Sequence, residues 1–237
     1  MPEINLCSFF EHYKGEPHQK EAIQLLQQAM PDSLLKNDSS WVVHYRTKPE
    51  PSWPLSKEQL GAIMLCSLES LPDSLMDDLA ACCELNQINT PLRLIYLLGQ
   101  CGHESAGLRY PVEIHDGSNY EGRTDLGNTQ PGDGVKFAGT GWIQVTGRYN
   151  HQSFADAIGD PKVMQLGKTY TSEKYPWSIS GHWWTQNKMN EFCDARPDLT
   201  DYQIDEIGAR VNGRMRPNGA DDRIDYTRRA QQQLIKG

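Results

Sequence analysis

Apolar residues along much of this chain recur at three- and four-residue spacings, the pattern of helices that bury one face. From Pro17 to Met30, Ala22, Ile23, Leu25, Leu26 and Ala29 form such a face, and Pro31 ends it. The run WVVHYRTKPEPSWP then reads as an extended piece entering a proline-rich connector at residues 48 to 54. A module boundary is expected there, separating residues 1–54 from a main domain over 55–237.

The main domain opens with Ser56-Lys-Glu-Gln59, a capping box, followed by Leu60, Ile63, Met64, Leu68 and Leu71 on one face. Pro72 stops that helix. A second is expected from Asp73 to Asn86, and a third starts with Thr90 as cap and Pro91 in the first turn. In the third, PLRLIYLLGQCGHES, Leu94, Leu97, Cys101 and Glu104 share one stripe. The tetrapeptide PDSL occurs at Pro31–Leu34 and at Pro72–Leu75, and reflects shared helix stop and start chemistry. Residues 109–141 lose this periodicity and are rich in Gly, Asp, Asn and Pro, as an ordered loop system would be. After them Trp142–Thr146 alternates like a short strand, with Trp142, Gln144 and Thr146 on one side. Further helices are expected over His151–Ile158, Ile179–Phe192, Thr200–Val211 and Ala220–Ile235. The fold class that follows is mainly α, with a small β element beside the loops.

Composition narrows the functions open to such a fold. A net charge of −8 argues against a nucleic-acid partner, and no apolar run is long enough to insert in a membrane. The start, MPEINLCSFFEHYKG, lacks a basic end and an apolar stretch, so no secretory signal is visible. The cysteines include no Cys-x-x-Cys and sit mostly among Leu, Ile and Ala, where reduced thiols act as small hydrophobes. His103 precedes Glu104, but Gly107 stands where H-E-x-x-H needs its second histidine. The glycines of Gly132-Asp-Gly134 and Gly139-Thr-Gly141 have neither phosphate-loop nor dinucleotide spacing. No metal, no cofactor and a monomer are expected.

Two acids carry the candidate chemistry. Glu104 continues the apolar stripe, and burial there would penalise its charged form, as suits a general acid. Gly99 and Gly102 let a neighbouring chain or ligand come close to the same helix. In an unbroken helix Glu113 would face away from Glu104, but Pro111 deflects the chain and lets Glu113 return across a cleft. An acid in an apolar setting opposite a wet one is the pair that glycosidic hydrolysis needs. Spacing alone leaves another reading open, in which Glu104 is a helix-end charge paired with an Arg or His and Glu113 a solvated loop acid. Arg223, Arg228 and Arg229 read as a solvated basic face of the last helix, and of Trp183 and Trp184 one belongs in the core.

The run HES, a following acid, and YEGRTDLGNTQPGDGVKFAGTGWIQVTGRYNH resemble the glycoside hydrolase family 19 domain in its bacteriophage endolysin form, also found in related chitinases. The resemblance begins near LSKEQLGAIM and continues through SGHWWTQNKMNEFCD and VNG to the carboxyl end. It implies a bilobal, lysozyme-like α+β domain with a substrate cleft and an inverting acid/base mechanism. By position it makes Glu104 the general acid and Glu113 the general base, with Glu121 as rival base. Thr146 helps hold the water, and Gln144, Asn150 and Asn212 contact sugar. It also suggests a cleft role for Arg223, and Trp142 ranks first for stacking on a sugar ring.

The implied substrate is bacterial peptidoglycan, with chitin as the alternative. A non-catalytic wall-binding protein on the same scaffold is a third reading. An endolysin would stay in the host cytoplasm until lysis and then reach the periplasm and wall. Residues 1–54 lie outside the resemblance, and would either bind cell wall or pack on the main domain, with Trp41 and Trp53 suiting both. The sequence departs from the phage pattern at three places. Thr140 replaces the arginine of G-R-G, His151 the tyrosine after asparagine, and Arg214 the second glycine of I-N-G-G.

Overall fold

The computed structural model describes residues 54–235. The helix expected over Pro17–Met30, the extended piece after it, the first PDSL, Cys7, Trp41 and Trp53 lie outside the described residues. The described chain is built from helices, and none of these is long and apolar enough to cross a membrane. Its β content is two isolated antiparallel bridges, Val112 with Thr140 and Thr140 with Val145.

Side-chain caps set three of the helix starts, at Ser56, Thr90 and Thr200. Helix α1 (Lys57–Met64) has the expected capping box, Ser56 and Gln59 each satisfying the other's backbone amide. It ends earlier than the apolar pattern implies, because Leu65 turns left-handed at φ 55°, and Leu68–Ser70 form a separate 3-10 turn. Helix α2 spans Asp73–Leu85. Helix α3 (Pro91–Glu104) starts on the Thr90 side chain with Pro91 in its first turn, and is buried continuously from Leu94 to Gly102. A single apolar stripe was the expectation; a central helix enclosed by others needs apolar residues all round.

Helix α4 (Asp133–Lys136) lies within the loop system, and α5 spans Arg148–Ile158. The short helices α6 (Lys162–Leu166) and α7 (Lys168–Lys174) follow, joined at Gly167. They are too brief and polar to show a period. The helix expected over Ile179–Phe192 is two, α8 (Pro176–Gln186) and α9 (Met189–Asp194), divided by Lys188 at φ 53°. Helix α10 (Asp201–Asn212) opens on a second capping box, Thr200 with Gln203, and α11 spans Ala220–Leu234.

Helix α3 packs against α11, with α1, α9 and α10 also touching it, while α2 pairs with α8. The closeness of α3 to α11 depends on its glycines. A Cβ at Gly99 would strike Thr227 and one at Gly102 the Tyr226 ring, so the neighbour that these glycines admit is α11. Buried Asp78 joins α2 to α8 by accepting from the Trp177 amide at 2.7 Å and the Ser178 hydroxyl at 2.5 Å. Burial pushes its carboxyl up to about 6. Trp184 is fully buried and Trp183 partly so. Among the described residues the cysteines are free thiols, all buried except the half-buried Cys66.

Candidate active site

Glu104 ends α3 with its side chain 21% exposed, and one of its oxygens, Oε1, pairs with Nη2 of Arg223 on α11. Arg223 is not part of a solvated face. Its side chain is 1% exposed, and it also donates from Nη1 to Gln100 Oε1 at 2.6 Å and from Nε to the Asn218 carbonyl at 3.0 Å. It therefore holds Glu104 from behind and has no surface for a sugar. The setting of Glu104 is an ion pair, unlike the apolar one the stripe implies. Arg228 and Arg229 are likewise engaged, Arg228 with Asp201 at 2.7 Å and Arg229 with the Ile63 carbonyl at 2.9 Å.

Asn212 extends this chain of contacts, its Oδ1 accepting from the Asn218 amide at 3.1 Å. Here the asparagine shapes the loop between α10 and α11. His103, next to Glu104, bonds Asp222 through Nδ1 at 2.7 Å, and Gly219 at φ 67° is packed against its ring, where no Cβ would fit.

The second acid stands on a different support. Past Glu104, Ala106, Gly107 and Leu108 all take positive φ, which reverses the chain before Pro111. The Pro111 carbonyl accepts from the Gly141 amide at 2.8 Å and from the Ser172 hydroxyl at 2.7 Å. The Glu113 amide then donates to the Gly139 carbonyl at 2.9 Å. The Glu113 carboxylate accepts from the Gly139 amide at 3.0 Å and from the Tyr120 hydroxyl at 3.0 Å. Burial, and then the bond to Glu113, raise the Tyr120 phenol above its ordinary range. Gly139 leaves room at this point. A Cβ there would lie 2.6 Å from Gln144 Oε1 and 3.0 Å from Glu113 Oε2, so the bare backbone lets both side chains converge.

Residues 142–146 are not a strand. Gly141–Gln144 form a turn inside the Thr140–Val145 bridge, with Gln144 left-handed at φ 57°. Trp142, Ile143 and Val145 are all buried, so the expected alternation is absent, while Gln144 and Thr146 remain half-exposed. Gln144 donates from Nε2 to the Tyr110 carbonyl at 3.2 Å, Thr146 donates to the Gln144 carbonyl at 3.0 Å, and Asn150 donates to the Thr146 carbonyl at 2.7 Å. The three polar residues thus form one hydrogen-bonded series.

Trp142 is placed in the core. It is 4% exposed with its ring centroid 5.8 Å from that of Trp177, so it presents almost no ring to a ligand. The aromatic exposed between Thr146 and Asn150 is Tyr149, at 75%. The rival acid Glu121 is occupied in shaping the loop, accepting from the Gly132 amide at 2.7 Å and the Gly134 amide at 2.8 Å. A 470 Å³ pocket bordered by Leu75, Leu108, Trp142 and Pro176 includes neither Glu104 nor Glu113.

The loop itself is locked by charge and amide groups. Arg148 holds Asp133 through two bonds of 2.8 and 2.6 Å, keeping that carboxyl below its usual range, and lies 4.9 Å over the Phe137 ring. Buried Asn128 bridges the Arg148 amide at 2.8 Å and the Tyr120 carbonyl at 2.9 Å. Two departures from the phage pattern meet here. His151 is fully buried, with Nδ1 2.9 Å from the Gly147 carbonyl and Nε2 3.1 Å from the hydroxyl of Thr140. Burial pushes the imidazole down to about 4.

Solved structures share this architecture. A variant of chitinase C superposes with a TM-score of 0.50 at 18% identity, over 76% of this chain and 91% of that one. Chitinase C from Streptomyces griseus gives a TM-score of 0.49 at 19% identity over the same shares. No family model matches the chain. The fold is thus the helical, chitinase-like one that the motifs imply. Identities this low establish architecture only, and chemistry has to come from the site.

Proposed function

We propose that the protein is an inverting glycosidase of the phage endolysin type, cutting the β-1,4 glycan backbone of bacterial peptidoglycan and so lysing the host cell. The observation that carries this reading is the pair of unlike acids. Glu104 is clamped through Oε1 by a buried guanidinium, and Glu113 is held by a backbone amide and a phenol on a separate frame. Among the described residues Glu104 Oε2 has no hydrogen-bond donor, so it is the oxygen open to the departing glycosidic oxygen, which Glu104 serves as general acid. Glu113 serves as general base, accepting a proton from water attacking the opposite face of the sugar. Thr146 and Gln144 help to position that water, with Gln144 Oε1 close to the Glu113 carboxylate around Gly139. Asn150 keeps this turn in place.

Chitin is the second reading, favoured by the fold likeness to chitinase C. Both polymers join N-acetylated sugars by β-1,4 links. The test scores clearing of permeabilised bacteria and release of soluble chitin fragments by wild type, Glu104→Gln and Glu113→Gln. Each variant is expected to lose about 10²- to 10⁴-fold in turnover with its melting temperature retained. Equal clearing by Glu104→Gln would eliminate the catalytic assignment, and binding without turnover by wild type would favour a wall-binding protein. An active Glu113→Gln beside an inactive Glu121→Gln would move the base to Glu121. Mass spectrometry of the new reducing ends identifies the bond cut.

A further inference from the structure

The segment between α10 and α11, Gly213-Arg-Met-Arg-Pro-Asn-Gly219, holds two arginines and no acid in a chain whose net charge is −8. Arg214, Met215 and Arg216 are all exposed, Met215 by 61%. Among the described residues no carboxylate pairs with either arginine. The one hydrogen bond found for their side chains is a long 3.5 Å contact from Arg214 to Asn218 Oδ1. Arg93, Arg123, Arg148, Arg196, Arg223 and Arg228, by contrast, each hold an Asp or Glu. Two unpaired guanidiniums beside an exposed thioether form a cationic, partly apolar tip.

That tip is fixed with respect to Glu104. Gly213, Arg216 and Gly219 take positive φ and fold the segment back on itself. Pro217 is buried against Gly208, where a Cβ would come within 2.7 Å of its Cγ. The Asn218 amide is held by Asn212, and its carbonyl receives Nε of the same guanidinium whose Nη2 grips Glu104. One arginine side chain therefore separates the base of this loop from the candidate acid. Arg214 is also where the sequence replaces a glycine of the phage pattern with a long cation.

We propose that Arg214 and Arg216 recognise the carboxylates of the peptide stems on peptidoglycan, so that the enzyme prefers peptide-bearing glycan to bare glycan or chitin. This rests on the glycosidase reading and assigns its substrate class. Guanidinium forks match carboxylates in a bidentate geometry that a neutral sugar polymer does not offer. Met215 between them supplies adaptable apolar contact for the stem's aliphatic side chains.

The test compares full-length wild type, Arg214→Gln/Arg216→Gln and a control, Lys162→Gln/Lys188→Gln, which makes the same change in net charge at exposed sites on other segments. Retention and release of new reducing ends are measured on purified sacculi and on the same sacculi whose carboxylates have been converted to neutral amides with a carbodiimide and ammonia. The arginine variant is expected to lose about three- to tenfold in retention, and the same factor in KM with kcat kept, on intact sacculi alone. Added salt should erase the wild-type advantage. Equal retention of wild type and arginine variant on intact sacculi, or an equal loss on both materials, would overturn the proposal. So would an identical loss in the lysine control. Absence of reducing ends from wild type on either material would instead sink the glycosidase reading, while retention would still decide this one.

Discussion

Glu104 and Glu113 lie nine residues apart, yet they are held by two kinds of structure. Glu104 belongs to the packed layer of α3 and α11, where small residues let two helices touch and a buried arginine spans the contact. Glu113 belongs to a region almost without regular structure, fixed by bridges at Thr140, backbone amides and a few polar side chains. The helical layer gets its rigidity from burying apolar surface, and the loop region from satisfying its backbone polar groups one by one. An acid placed in the first responds to changes in volume, and an acid in the second to loss of single hydrogen bonds.

The largest expected effect lies in the helical layer. Arg223→Met leaves the Glu104 carboxylate and Gln100 without their shared partner, and should destabilise the fold by about 3–5 kcal/mol in urea titrations. A value near zero would show that the ion pair contributes nothing. Next come two glycine changes of equal size. Gly102→Ala drives a methyl into Tyr226 and should cost about 1–3 kcal/mol of stability, whereas Gly139→Ala should cost more in turnover than in melting temperature, by displacing Glu113 and Gln144. If Gly139→Ala melted early and kept its rate, the contrast between the regions would fail.

A third effect is pH-dependent. His151 is neutral when folded, down to about 4, and takes up a proton near 6.5 when unfolded. Its stabilising contribution is complete above 6.5 and falls as pH drops toward 4, by about 1.4 kcal/mol per pH unit at most. Asp78, pushed up to about 6, acts with the opposite sign over much of this window. The stability advantage of wild type over His151→Asn should therefore shrink steadily between these limits, as followed by thermal melts. A constant advantage would mean that the ring is not buried in its neutral form. The smallest effect expected is that of Tyr120→Phe, which removes one of two donors to Glu113 and should slow turnover about tenfold or less, with KM little changed.

The helical layer was the more legible region. Ser56, Thr90, Pro91 and Thr200 mark helix starts because a cap satisfies amides within a few residues of itself, a local event that a short motif can encode. Gly99 and Gly102 announce a close approach without naming α11 as the visitor, since that depends on residues far along the chain. Arg223 misleads for the same reason. On a helix rich in charge it resembles a solvated residue, and only the fold shows that it lies against Glu104.

Around Glu113 the chain turns as expected, but at Ala106–Leu108 ahead of Pro111, and the apparent alternation of Trp142–Thr146 does not signal a strand. Its left-handed Gln144 depends on contacts with Tyr110 and Gly139 that no local pattern contains. The indole of Trp142 is the largest ring in this block of sequence, but only Tyr149, between Thr146 and Asn150, stands exposed there.

Thr140 and His151 have a consequence for anyone exchanging parts between this protein and proteins that carry arginine and tyrosine at these two positions. Since the two unusual side chains meet ring to hydroxyl in a closed interior, reverting one alone would set a bulky cation or phenol against a partner shaped for something smaller. They form a single heritable unit, and a chimera whose crossover falls between them should fail while one that carries both across should fold.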